Sequence, residues 1–154
     1  MKNVRSSALK VGEPPRVTLV LFVAKVNALT AQALAYGRSL NADQFEAVNV
    51  AMDTASQQRL RGEWAALNVD IPLVVVRSIN YEFLRPATQY IRSLRPGPDH
   101  SVLVLIPELV VEHWYQAILH NRSGTRLTDA LSEIPWVVVA SVPLQLSLNN
   151  QESE

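Results

Sequence analysis

The stretch Ser101–Arg126 reads SVLVLIPELVVEHWYQAILHNRSGTR. It opens with a short β-branched run, Ser101–Ile106, that stops at Pro107. An aromatic helical pattern follows over Val111–Leu119. The chain breaks again at His120-Asn121-Arg122-Ser123-Gly124, where a new helix can begin. A buried strand that runs into a helix is half of a βαβ unit, and the first amides of a helix lack intrahelical partners and suit anions.

Working outward, the same alternation recurs. Val17–Val23, Phe45–Met52, Leu73–Val76 and Trp136–Val142 read as four further strands. Strands one, three, four and five are near-continuous and apolar, the pattern of strands covered on both faces. Between them the spacing is helical. Leu29, Ala33, Tyr36 and Leu40 form one stripe; Leu60, Trp64 and Leu67 a second; Phe83, Ala87, Tyr90, Ile91 and Leu94 a third. Thr54 and Asn80 are expected N-caps. The pattern predicts an α/β three-layer sandwich around a five-stranded, mainly parallel sheet, with right-handed crossovers. Ligands of such sheets bind beyond the strands' carboxyl ends. The expected binding loops are therefore Ala24–Asn27, Met52–Thr54, Arg77–Tyr81 and the chain from Pro107 onward.

Composition narrows the function. The chain has 154 residues, 48% of them hydrophobic and 18% charged, which suits one domain with a real core. Residues 1–16 read as a flexible polar lead-in, 17–146 as the α/β domain and 147–154 as a flexible tail. Lys plus Arg and Asp plus Glu both number 14, for a formal net charge of zero. That argues against sequence-independent nucleic-acid binding. The absence of cysteine removes thiolate chemistry and Cys-ligated zinc. The three histidines show no metal-ligand spacing, so no metal is expected. No apolar run reaches membrane-spanning length, and the first residues lack a secretory h-region. A soluble domain is expected.

The glycine fingerprints of dinucleotide and P-loop NTPase folds are absent. The best candidate site is His120, Asn121, Arg122 and Ser123. Arg122 can pair with a phosphate, His120 can donate to one, and Asn121 or Ser123 can cap the last helix. Arg126 lies one turn further in. Asp53, just past strand two, can bond a ribose hydroxyl, and it is equally a good helix-start residue. Arg77 after strand three can reach an anion or stand in solvent. Trp114 and Tyr115 can stack on a base, although packing is the commoner role of such a pair. Glu108 and His120 are the only support for a hydrolase.

Taken together, Asn27–Leu40, Val48–Asp53, Val74–Tyr90 and Val104–Leu127 resemble a universal stress protein domain. They are most similar to the version that forms the C-terminal cytoplasmic domain of amino acid-polyamine-cation superfamily permeases. Pro107-Glu108, Trp114-Tyr115, Leu119-His120-Asn121 and Ser123 carry the likeness. It implies a regulatory role at the inner face of the cell membrane rather than catalysis, with the transporter's membrane-embedded part and a second copy of the domain as partners. ATP-binding stress proteins carry a glycine-rich loop after strand four. Pro107–His113 has no glycine, and the final glycine position holds Asn121 or Arg122. Related domains on potassium importers of the KimA type bind cyclic di-AMP at a dimer interface. The resemblance therefore implies cyclic di-AMP or ATP as ligand. A ligand-free module that dimerises through strand five and Pro143–Leu148, or docks on the transporter, is the alternative.

Overall fold

The computed structural model describes residues 11–107 and 123–142. Five strands form one sheet: β1 (Arg16–Phe22), β2 (Gln44–Ala51), β3 (Leu73–Arg77), β4 (His100–Pro107) and β5 (Val137–Val142). Four helices are described: α1 (Ala28–Ser39), α2 (Thr54–Leu67), α3 (Leu84–Ser93) and α4 (Ser123–Ser132). The strand order is β3-β2-β1-β4-β5 and every pairing is parallel. The α/β class and the five-stranded sheet expected from the periodicity are those observed. The aromatic pattern Val111–Leu119 falls outside the described residues, as do the segments beyond Val142.

Period-two alternation divides the core between the two sheet faces. Val20, Phe22, Val48, Val50, Val102, Val104 and Ile106 point to α3 and α4, where they meet Phe83, Ala87, Ile91, Leu127 and Leu131. Leu19, Leu21, Val23, Ala47 and Leu105 point the other way, onto Ala33 and Leu34 of α1 and Trp64 of α2. Right-handed crossovers account for this: β1 to β3 step in one direction along the sheet, so α1 and α2 share a face. The chain then returns across β1 to β4 and β5, which puts α3 and α4 on the other.

The strand order also decides which apolar runs are buried. β1 is central and continuously buried over its last five residues. β2 has the looser sequence pattern, yet its last five residues are buried too. β3 and β5, both expected to be covered on two faces, are the sheet's edges and only partly buried, with Val138 58% exposed.

The buried helix faces differ in part from the expected stripes. The buried side of α1 runs through Leu29, Thr30, Ala33, Leu34 and Gly37, whereas Tyr36 and Leu40 of the expected stripe are exposed. Gly37 is what lets α1 lie this close to the sheet. A Cβ there would stand 2.5 Å from the Phe45 ring. Leu60 and Trp64 are buried as expected, and the Trp64 indole donates to the Ile71 carbonyl at 2.9 Å. Phe83, Ala87 and Ile91 are buried on α3, and the Phe22 and Phe83 rings meet edge-on at 6.1 Å.

Candidate functional site

An all-parallel sheet with this order has one place where the connections diverge, between β1 and β4. Loops on either side of that point share the carboxyl edge of the sheet, the usual ligand side of this class of fold. Each described loop there is built differently.

After β1 the chain turns into α1 through a reciprocal cap. The Asn27 side chain accepts from the Thr30 amide at 3.0 Å, and the Thr30 hydroxyl accepts from the Asn27 amide at 3.3 Å. The same hydroxyl donates to the Lys25 carbonyl. Asn49 braces this turn from the neighbouring strand. It is 6% exposed, and its amide nitrogen donates to the Val23 carbonyl at 2.7 Å. A buried carbonyl at the end of a strand needs such a donor, since the ladder no longer supplies one. Asn49 escaped sequence reading, although a lone amide inside the run Ala47–Ala51 is a legible signal of a specific buried bond.

After β2, Asp53 caps α2. One carboxylate oxygen accepts from the Ser56 amide at 2.7 Å and the other from the Ser56 hydroxyl at 2.8 Å. The expected cap, Thr54, is instead the first helical residue. Bonds from the Ser56 amide and hydroxyl hold the Asp53 carboxyl below its ordinary value of 3.8. Arg77 ends β3, and its guanidinium donates to the Thr54 hydroxyl at 3.3 Å. Asp53 and Arg77 are thus brought to one helix start, each bonded to a neighbour on α2.

After β3 the build changes. Asn80, the other expected cap, does not cap α3; it and Tyr81 both adopt the left-handed conformation, with φ of 58° and 57°. An aromatic residue there costs roughly 1–3 kcal/mol and persists only when its surroundings impose it. Here Ser78 does so: its amide donates to the Ala51 carbonyl at 2.9 Å and its hydroxyl to the Glu82 carbonyl. The turn leaves Ile79 and Tyr81 about three-quarters exposed, at 76% and 74%. α3 then begins at Phe83 without a side-chain cap.

The fourth connection leaves β4 at Pro107, its last residue. Glu108, Trp114, Tyr115, His120, Asn121 and Arg122 lie outside the described residues. Ser123 opens α4. Of the six predicted ligand residues, the structure therefore places the backbone of Ser123 and the side chains of Asp53 and Arg77. Among the described residues no cluster of His, Asp or Glu could hold a metal ion, and no helix is long and apolar enough to cross a membrane.

The parallel α/β class is thus set by the sheet, with polar loops gathered on its carboxyl edge. Residues 15–144 match the family described as the KimA potassium transporter C-terminal domain, and the chain belongs to that family. It is 27% identical over 128 residues to the potassium transporter KimA of Bacillus subtilis (strain 168). The match covers 81% of this chain and 21% of that transporter, so the chain spans about one fifth of its relative's length. It is a transporter-associated domain.

Proposed function

We infer that this chain is the cytoplasmic regulatory domain of a KimA-type permease, of universal stress protein character, which pairs with a second copy and senses an adenine nucleotide. The single observation behind this is the family match across residues 15–144, almost the whole domain. The match supports a transporter as the domain's partner, and the carboxyl edge, the usual ligand side of such a sheet, supports a ligand there. In this reading His120, Asn121, Arg122 and Ser123 meet the phosphates, and the loops after β1 and β2 meet the adenine. The role is one of binding rather than catalysis.

Calorimetric titration with cyclic di-AMP and ATP tests the reading. One of them should bind in the micromolar range or tighter, and the His120→Ala/Arg122→Ala double variant should weaken it by roughly tenfold or more, the usual cost of losing a charged hydrogen bond. Failure of both nucleotides to bind removes the sensing role. Light scattering should report a dimer mass; a strict monomer at high concentration removes the pairing.

One observation favours the alternative, a ligand-free interaction module. Both Asp53 oxygens are occupied by Ser56, and Arg77 is turned to Thr54. If those bonds survive nucleotide addition unchanged, Asp53 and Arg77 are structural groups.

A further inference from the structure

A recess lies between α3 and α4, bounded at one end by the loop after β3. It is a groove of about 730 Å³, within the range that suits a small organic ligand. Arg85 and Arg92 of α3 and Arg126 of α4 line it, against one carboxylate, Glu82. Among the described residues none of these arginines has an ion-pair partner; the ion pair found there, Arg38–Asp70, sits on the α1/α2 side. Its apolar lining includes Phe83, Leu84 and Ala130. At its mouth is Tyr81, exposed and held in the left-handed conformation by the Ser78 bonds.

The positions of the cations follow from the topology. α3 and α4 both follow parallel strands on the same face, so both begin at the carboxyl edge. Arg85 is the second residue of α3 and Arg126 the fourth of α4, which puts both near that edge, beside Tyr81. Arg92 is seven residues on from Arg85, about 10 Å along the helix axis and on the same side.

The positive charge is local. Glu82, Asp129 and Glu133 are exposed on this side of the molecule, and the whole chain has zero formal net charge. A long polyanion or a charged membrane would meet these carboxylates together with the arginines. A small anion inside the groove meets three arginines and one carboxylate. Guanidinium forks favour phosphate, and an exposed tyrosine face favours a flat ring.

We propose that the α3/α4 groove binds a small phosphate ester carrying a flat ring, with the ring on Tyr81, the phosphate at Arg85 and Arg126, and Arg92 placed for a second anionic group. The proposal does not depend on the nucleotide reading of His120–Ser123.

Nuclear magnetic resonance of the full chain provides the test, with AMP, phenyl phosphate and inorganic phosphate as probes. AMP and phenyl phosphate should give saturable shifts of the Tyr81 amide and of the Arg85, Arg92 and Arg126 Nε–H signals. Inorganic phosphate should bind more weakly by roughly fivefold, the worth of ring stacking. A clear preference for AMP over phenyl phosphate marks a nucleotide as the ligand; equal affinity marks a ring phosphate of broader kind. An Arg85→Gln/Arg126→Gln variant should lose roughly tenfold or more in affinity for both esters. Tyr81→Ser should weaken the esters but not inorganic phosphate. Circular dichroism should show both variants folded, since all three side chains are exposed. The His120→Ala/Arg122→Ala variant should keep the groove response. The proposal is overturned by no saturable shift at millimolar probe, by shifts confined to residues 24–27 and 52–54, by unchanged affinity in the double arginine variant, or by loss of the groove response in the His120/Arg122 variant.

Discussion

The starts of α2 and α3 stand at the same sheet edge and are built in opposite ways. α2 opens on Asp53, which bonds Ser56 through both oxygens, and Arg77 closes over Thr54. α3 opens on Phe83 with no side-chain cap, after two left-handed residues that push Ile79 and Tyr81 outward. One helix start satisfies itself; the other is held in shape by Ser78 and by the burial of Phe83. The groove beside the start of α3 fits this contrast: its arginines have no ion-pair partner among the described residues. Local self-satisfaction marks scaffold, and unspent polar groups beside a strained turn mark the place where a ligand can gain.

Because burial replaces the missing cap at α3, Phe22→Ala should have the largest effect. Phe22 is fully buried and packs edge-on against Phe83. Chemical denaturation should show a loss of about 3–5 kcal/mol, and hydrogen exchange should speed first in residues 83–87. Equal acceleration at the start of α2 would break the contrast between the two helix starts.

Asn49→Ala ranks next. It strands the buried Val23 carbonyl at the end of β1 and should cost about 1–3 kcal/mol. Hydrogen exchange should loosen residues 24–27 and leave 78–82 unchanged, since the two loops are supported separately.

A smaller effect is expected from Tyr90→Phe. Tyr90 on α3 donates to the Glu46 carboxylate on β2. The group is partly exposed, so the loss should be at most about 1 kcal/mol. Burial first, and the Glu46 bond second, push the phenol above its ordinary value of 10.0. The folded state therefore holds this proton more tightly than the unfolded chain. That stabilisation is complete below pH 10 and is lost as pH rises through the shifted value. Wild-type stability should fall above about pH 10, and Tyr90→Phe should remove that part of the decline.

The smallest effect, and one of opposite sign, belongs to the scaffold side. Gly62 lies mid-helix on the exposed side of α2, and a Cβ there would meet nothing within 4 Å. Gly62→Ala should raise stability by about 0.5–1 kcal/mol, with no change in any ligand response. Gly37→Ala should lower it, because the Phe45 ring must move.

Much of this was legible in the chain. Strand runs, helix spacing and the parallel class follow from periodicity, because side chains must alternate across a pleated sheet and recur at 3.6 residues on a helix. The candidate site was legible only in its local parts. Asp53 could be read as a ribose ligand or a helix start, and one short bond to the Ser56 amide shows the second role. Asn80 has the composition of a cap but takes a left-handed turn, because Ser78 binds backbone on both sides of it. Tyr36 and Leu40 fit a helical stripe, but the sheet faces a neighbouring strip of α1.

The sequence by itself determined the five strands and their alternation with helices among the described residues, and the absence of thiol chemistry, since these depend on residue type and near-neighbour spacing. Tertiary structure decided what depends on position in the sheet. It made the apolar runs β3 and β5 edges and buried the more mixed β2. It brought Arg85, Arg92 and Arg126 from two separate helices to one groove. No spacing rule connects residues 85 and 126. A right-handed crossover does, by placing both helices on one face.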